Sequence, residues 1–219
     1  LSVGLSENDG SYRSELVRKG IHLSSLLIPV FYFYLTKENA LKLIIPLTAL
    51  FILIDIARYY SKPLQEVFLQ TFGWLLRKHE TDEKRKRLNG ASYVMISATL
   101  CILIFPKIIT LTCFTILIIS DTTAALIGRR FGKHRFFSKS LEGSLAFLFS
   151  GLLVILFTPK SDYLTTEYLI GFGSVLVGMI VEALPVKIDD NLSIPLSVGG
   201  SLWLFYATLL PLSNIYLLG

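Results

Sequence analysis

Of the chain's 219 residues, 53% are hydrophobic and only 17% are charged, against ~25% charged in a soluble domain. The charges cluster between long uncharged stretches, which excludes one large soluble core and points to a membrane protein. A net charge of +5 fits basic loops beside anionic lipid headgroups and not nucleic acid, and Cys101 and Cys113, both inside apolar runs, read as small buried hydrophobes.

Seven apolar spans follow in chain order: 20–35, 40–59, 89–105, 108–128, 143–158, 167–184 and 192–212. None alternates apolar with polar residues, as a membrane β-barrel strand must. The expected fold is all-α, a polytopic helical bundle in which residues 1–219 form one catalytic membrane domain. Several runs are shorter than the ~20 residues that cross a bilayer, so their helices are expected to extend into polar flanks or sit in locally thinned membrane. The chain begins at Leu1, and its first apolar run lacks a small-residue cleavage site, so no signal peptide is expected.

Between spans two and three, residues 63–88 differ. Leu64, Val67, Phe68, Phe72 and Leu75 recur at helical spacing with Gln65, Glu66 and Gln70 between them. Pro63 suits a first turn. This predicts an amphipathic helix at the membrane interface, or one packed across the bundle, followed by a basic loop. Of the 21 Lys and Arg residues, 17 fall on the side of the N-terminus, and Lys37, Lys42, Lys107 and Lys160 fall on the other. The positive-inside rule makes the first side cytoplasmic, with the N-terminus inside and the C-terminus outside.

Ionisable residues in or beside spans are costly and therefore candidates for function. His22, Asp55, Asn89, Asp121, Glu182, Asp189 and Asp190 all fall at the cytoplasmic ends of these spans. Asp55 either joins this set or pairs with Arg58 one turn on. Basic groups lie alongside: Arg129 and Arg130 close span four, and Lys139 opens span five with Ser140, Glu142 and Gly143. Ser140 is a candidate N-cap that leaves helix N–H groups for phosphate. Gly128, Gly132 and Gly143 permit close backbone approach to a ligand, while Ser120, Ala124 and Gly128 equally suit helix packing. Lys139 and Glu142, three apart, are expected to share a helix face. Acids and bases on one face suit a metal–polyphosphate, with Mg²⁺ on one or two carboxylates and cations on the remaining phosphate charge. No Walker A or soluble-kinase pattern occurs.

Arg18-Lys19-x-x-His22, Asn89-Gly90, Asp121 through Gly128-Arg-Arg-Phe-Gly-Lys133, Lys139-Ser-Leu-Glu-Gly-Ser144, Val181-Glu-Ala-Leu-Pro185 and Ile188-Asp-Asp-Asn-Leu-Ser-Ile-Pro195 occur in that order. The set resembles the CTP-dependent lipid kinases (dolichol kinase, phytol kinase and fungal diacylglycerol kinase), distant relatives of phosphatidate cytidylyltransferase. Two departures are Ser120 and Ser138, at positions where the family pattern favours glycine.

The resemblance implies transfer of the γ-phosphate of CTP to a membrane lipid alcohol. It assigns Asp121, Glu182, Lys139 and His22 to catalysis. Arg18, Lys19, Asn89, Gly128, Arg129, Arg130, Lys139, Ser140, Glu142 and Gly143 would surround the nucleotide, and Asp121, Glu182, Asp189 and Asp190 would face Mg²⁺. The short chain suggests a minimal core in a prokaryotic cell membrane. The alternatives are CDP-lipid synthesis at the same site, whose longer signature is missing here, and a transporter, which needs polar groups continuing across the bilayer.

Overall fold

In the computed structural model, residues 16–72 and 88–216 are described. They form eight helices: α1 (Leu16–Tyr34), α2 (Lys37–Tyr60), α3 (Lys62–Phe72), α4 (Gly90–Ile104), α5 (Lys107–Phe131), α6 (Leu141–Phe157), α7 (Thr165–Ala183) and α8 (Asp190–Leu209). A small antiparallel hairpin, β1 (Arg135–Phe136) and β2 (Lys139–Ser140), joins α5 to α6. This confirms the all-α membrane bundle, and all seven predicted spans are helices.

Local chemistry explains the boundaries. Thr36, Asn89, Ser140 and Asp189 cap α2, α4, α6 and α8, each accepting a first-turn N–H through a side-chain oxygen. Pro29 lacks an N–H, and α1 tightens into a turn at Ser25 and Leu26, where the Ser25 carbonyl accepts from Ile28 N at 3.0 Å. Helix extension is uneven. α2 and α5 reach 24 and 25 residues, but α4 and α6 stop at 15 and 17, or ~22 and ~25 Å at the helical rise. The amphipathic segment is helical as α3; Leu75, Arg77, Lys78 and the basic run 84–87 lie outside the described residues.

α5 is the central helix. Of its most apolar window 78% is buried, against 22% for α2 and 17% for α1. Lipid tails are as apolar as leucine, so helices in a bilayer associate by close backbone approach. Ser120, Ala124 and Gly128 give α5 such a face, and α6 answers with Gly143 and Gly151. A Cβ on Gly143 would stand 2.9 Å from the Ala124 carbonyl and 3.2 Å from Gly128 Cα; one on Gly151 would stand 3.3 Å from Ser120 Oγ.

Consecutive spans alternate in direction, which sorts the polar groups into two end layers. In the layer at the start of α2, lysines satisfy carbonyls that helix ends leave over. Lys37 Nζ donates to Leu103 O and Lys107 Nζ to Leu35 O, both at 2.8 Å. Lys160 Nζ donates to Ile155 O at 2.6 Å and Thr158 O at 2.7 Å. Glu167, which the sequence reading passed over, is buried here. It accepts from the N–H groups of Ser161, Asp162 and Leu164 and from the Tyr206 hydroxyl.

Burial lowers Lys160 from 10.5 to about 8, with Glu167 opposing. A lysine whose folded value lies below its unfolded one makes the unfolded chain bind more protons between the two. Stability therefore rises with pH across that window, by up to about 3 kcal/mol. The rise is expected in thermal unfolding of the detergent-solubilised protein between pH 8 and 10.5, and Lys160→Met should flatten it. An equal rise in both proteins would refute this assignment.

Candidate functional site

The opposite layer holds the sequence candidates. On α1, Lys19 is the one buried residue between 16 and 24. Its ammonium donates to the Asp121 carboxylate and, at 3.3 Å, to the Asp121 main-chain carbonyl. His22, one turn on, brings Nε2 to 3.7 Å from the same carboxylate. Asp121 lies nearly three turns before the end of α5 and is 7% exposed. A carboxylate this deep survives only paired, and α1 carries its partner.

The second half of the cluster is built by the hairpin. Phe137 takes a left-handed backbone (φ 48°), which a two-residue hairpin connection demands. Lys139 then emerges towards the ends of α7 and α8. Its Nζ donates to Asp190 Oδ2 at 3.0 Å and stands 3.1 Å from Glu182 Oε1. Burial alone would depress this ammonium, but Asp190 and Glu182 outweigh burial, Asp121 adds to them, and Lys139 is held protonated above the ordinary lysine range. Lys19–Asp121 and Lys139–Glu182–Asp190 are therefore one electrostatic unit drawn from α1, α5, β2, α7 and α8.

Several expectations change on contact with this geometry. Lys139 and Glu142 do not pair: Lys139 sits in β2, before α6 begins, so the two share no helix face. Glu142 instead accepts from His134 Nδ1 at 2.8 Å and from the His134 N–H. Ser140 is the predicted N-cap, but the helix start is less open than expected. Gly143 N donates to Ser140 Oγ at 3.2 Å and Leu141 N to His134 O at 2.8 Å. The close approach that Gly128 and Gly143 allow is spent between α5 and α6. Asn89 caps α4 and clasps Asp55, donating from its N–H at 2.6 Å and from Nδ2 at 3.2 Å. Asp55 also takes Arg58, with Nε 2.9 Å from Oδ1, as the i,i+3 spacing allows. Arg58 in turn faces the rings of Tyr59 and Phe68, each 4.8 Å away, which ties α3 to α2.

Arg129 and Arg130 are exposed on the last turn of α5, and Arg18 is half-buried beside Lys19. Asp189 caps α8 and accepts from the Asn191 side chain at 2.8 Å. The sequence reading gave no role to several buried hydroxyl groups. Thr122 Oγ1, Ser144 Oγ, Ser193 Oγ and Glu182 Oε2 are buried without a protein hydrogen-bond partner. Buried polar atoms are rarely left so; these oxygens suit water, a cation or a polar ligand. Thr122, Ser144 and Ser193 carry no charge to mark them in a sequence.

Among the described residues no three His, Cys, Asp or Glu side chains converge on one point. The carboxylates come as Glu182 with Asp190, and a cation, Lys139, stands between them. Hard oxygen donors, few in number and next to an orphaned carboxylate oxygen, fit Mg²⁺, which takes one or two carboxylates and completes its shell with water and phosphate.

Fold and site together describe a multi-pass helical membrane protein with a paired acid–base cluster at one end of its bundle. No family profile matches the chain, and no solved structure is significantly similar to it. An uncharacterized protein of Rickettsia prowazekii is 30% identical over 185 residues, covering 84% of this chain and 90% of that protein. CTP-dependent diacylglycerol kinase 1 of Schizosaccharomyces pombe is 29% identical over 155 residues, covering 64% of this chain and 69% of its own length. Its namesake in Saccharomyces cerevisiae is 27% identical over 209 residues, covering 84% and 70%. The chain is a distant relative of the CTP-dependent lipid kinases.

Proposed function

We propose that the protein transfers the γ-phosphate of CTP to the hydroxyl of a lipid alcohol of the diacylglycerol type at the cytoplasmic face of the membrane. The observation that carries this reading is Lys139 held between Glu182 and Asp190, in one electrostatic unit with Lys19–Asp121. Nucleotide reaches that end of the bundle from water, and the alcohol reaches it from the bilayer.

In the reaction the bond from the γ-phosphorus to its bridging oxygen breaks, and a bond from the lipid oxygen forms. Lipid phosphate, CDP and one proton result. The protein's task is to position the groups and offset charge. Lys139 and Lys19 exchange their carboxylate partners for phosphate oxygens, and Arg18, Arg129 and Arg130 line the approach. Glu182 keeps Oε2 available and receives the hydroxyl proton. Asp121, steadied by Lys19 and His22, and Asp190, with Asp189 beside it, complete the acidic side. Mg²⁺ would be held by carboxylates of this set and would neutralise phosphate charge.

Two features support the cytoplasmic assignment. Lys and Arg divide 17 to 4 in favour of this side, and Lys37, Lys107 and Lys160 of the minority are engaged on helix-end carbonyls. The names of the two yeast relatives favour diacylglycerol over a polyprenol or phytol.

The deciding assay supplies purified protein with CTP labelled at the γ- or the α-phosphorus and a panel of diacylglycerol, polyprenol and phytol. Label should pass to diacylglycerol from γ-labelled CTP alone. Transfer from α-labelled CTP to phosphatidate would instead identify a CDP-lipid synthase. Preference for a polyprenol or phytol would overturn the acceptor.

A further inference from the structure

Lysine reaches its partners through a long, flexible stem, so an ammonium poised between two carboxylates needs a fixed backbone beneath it. Lys139 lies in a two-residue strand on an exposed loop, with the left-handed Phe137 two residues before it. A bulky residue at positive φ persists only when its surroundings hold it there. The residue between them does so. Ser138 donates twice to a single acceptor, the Ala183 carbonyl: from its N–H at 3.0 Å and from Oγ at 2.7 Å.

Ala183 is the last residue of α7, where a carbonyl has no partner within its own helix. It directly follows Glu182. The bonded pair Ser138–Ala183 therefore stands one covalent step from Lys139 on one side and one from Glu182 on the other. Both bonds converge where the hairpin meets the helix end.

We propose that Ser138 is a positioning residue for phosphoryl transfer, its hydroxyl fixing the register of the hairpin on the end of α7 so that Lys139 meets Glu182 and Asp190. Ser138 touches neither reacting group; it acts through the backbone. The inference rests on the reading of Lys139 as a phosphate-holding residue. The hydroxyl is the separable part of the anchor, because Ser138→Ala keeps the N–H bond and loses only the second donor. Ser138 is exposed, so a threonine there keeps the donor without burying its methyl group.

The experiment compares Ser138→Ala, Ser138→Thr and Lys139→Ala with the parent protein. Readouts are kcat and KM for CTP and for diacylglycerol, with thermal unfolding in the same detergent. Ser138→Ala should lose about tenfold in kcat and bind CTP more weakly, with KM for diacylglycerol within about twofold, because misplacing a phosphate-holding ammonium weakens its hold on CTP and on the transition state. Its unfolding temperature should match the parent's, and Ser138→Thr should recover parental kcat. Parental kcat in Ser138→Ala, beside a crippled Lys139→Ala, overturns the positioning role and leaves the reading of Lys139 intact. Equal loss in Ser138→Ala and Ser138→Thr also overturns it, since shape and not the hydroxyl would then matter. Parental activity in Lys139→Ala removes the site reading and this inference with it.

Discussion

Asp121→Asn should lower lipid phosphorylation at least about a hundredfold, the scale seen when one preorganised electrostatic group is lost from an active site. The substitution keeps the side chain's shape and one carbonyl oxygen but removes the charge that holds Lys19 and faces His22. Lys19 is 4% exposed, so its ammonium would be left buried without a counter-charge. Removing one partner of a buried pair costs ~3–5 kcal/mol, and the retained amide oxygen should keep the loss towards the lower figure.

Activity and stability can be separated. The double variant Lys19→Met, Asp121→Asn removes both charges, and an apolar stem replaces the buried ammonium. It should regain most of the unfolding temperature and none of the activity. Measured transfer within threefold of the parent in either variant would remove Asp121 from the centre of the site.

Lys139→Ala is the second large effect, with an expected loss of at least about tenfold in activity and weaker CTP binding. Its stability should fall as well, because Lys139 is the ammonium shared by Glu182 and Asp190. A lone pair with Glu142 at a helix start would have cost only ~0.3–0.5 kcal/mol. The folded protein holds Lys139 above its ordinary value of 10.5. Its contribution is therefore fully present below pH 10.5 and is lost as pH rises through the folded value. The gap in unfolding temperature between parent and variant should persist at neutral pH and begin to close only above pH 10.5. No gap at neutral pH, or activity within twofold of the parent at limiting and saturating CTP, would show Lys139 to be an ordinary surface charge.

The sequence by itself determined the membrane class, the seven spans, the cap at Ser140, and the gathering of charged groups at one end of the bundle. Each of these is local or one-dimensional: hydropathy over a window, a hydroxyl before a helix, a count of Lys and Arg between spans. Asp55 with Arg58 was legible for the same reason, since three residues along a helix is one turn. Partner choice was not local. Lys19 and Asp121 are 102 residues apart in sequence, and no spacing rule links α1 to α5. Lys139 has Glu142 near in sequence, yet it bonds Asp190, 51 residues away, because an unforeseen hairpin turns it from α6 towards α7 and α8. Small residues were ambiguous for a related reason. Glycine permits close approach without stating what approaches, and only the packed bundle decided that Gly128 and Gly143 admit each other's helix. Ser138 carries neither charge nor periodicity; its two bonds to Ala183 exist only because tertiary packing brings a spare helix-end carbonyl to the loop.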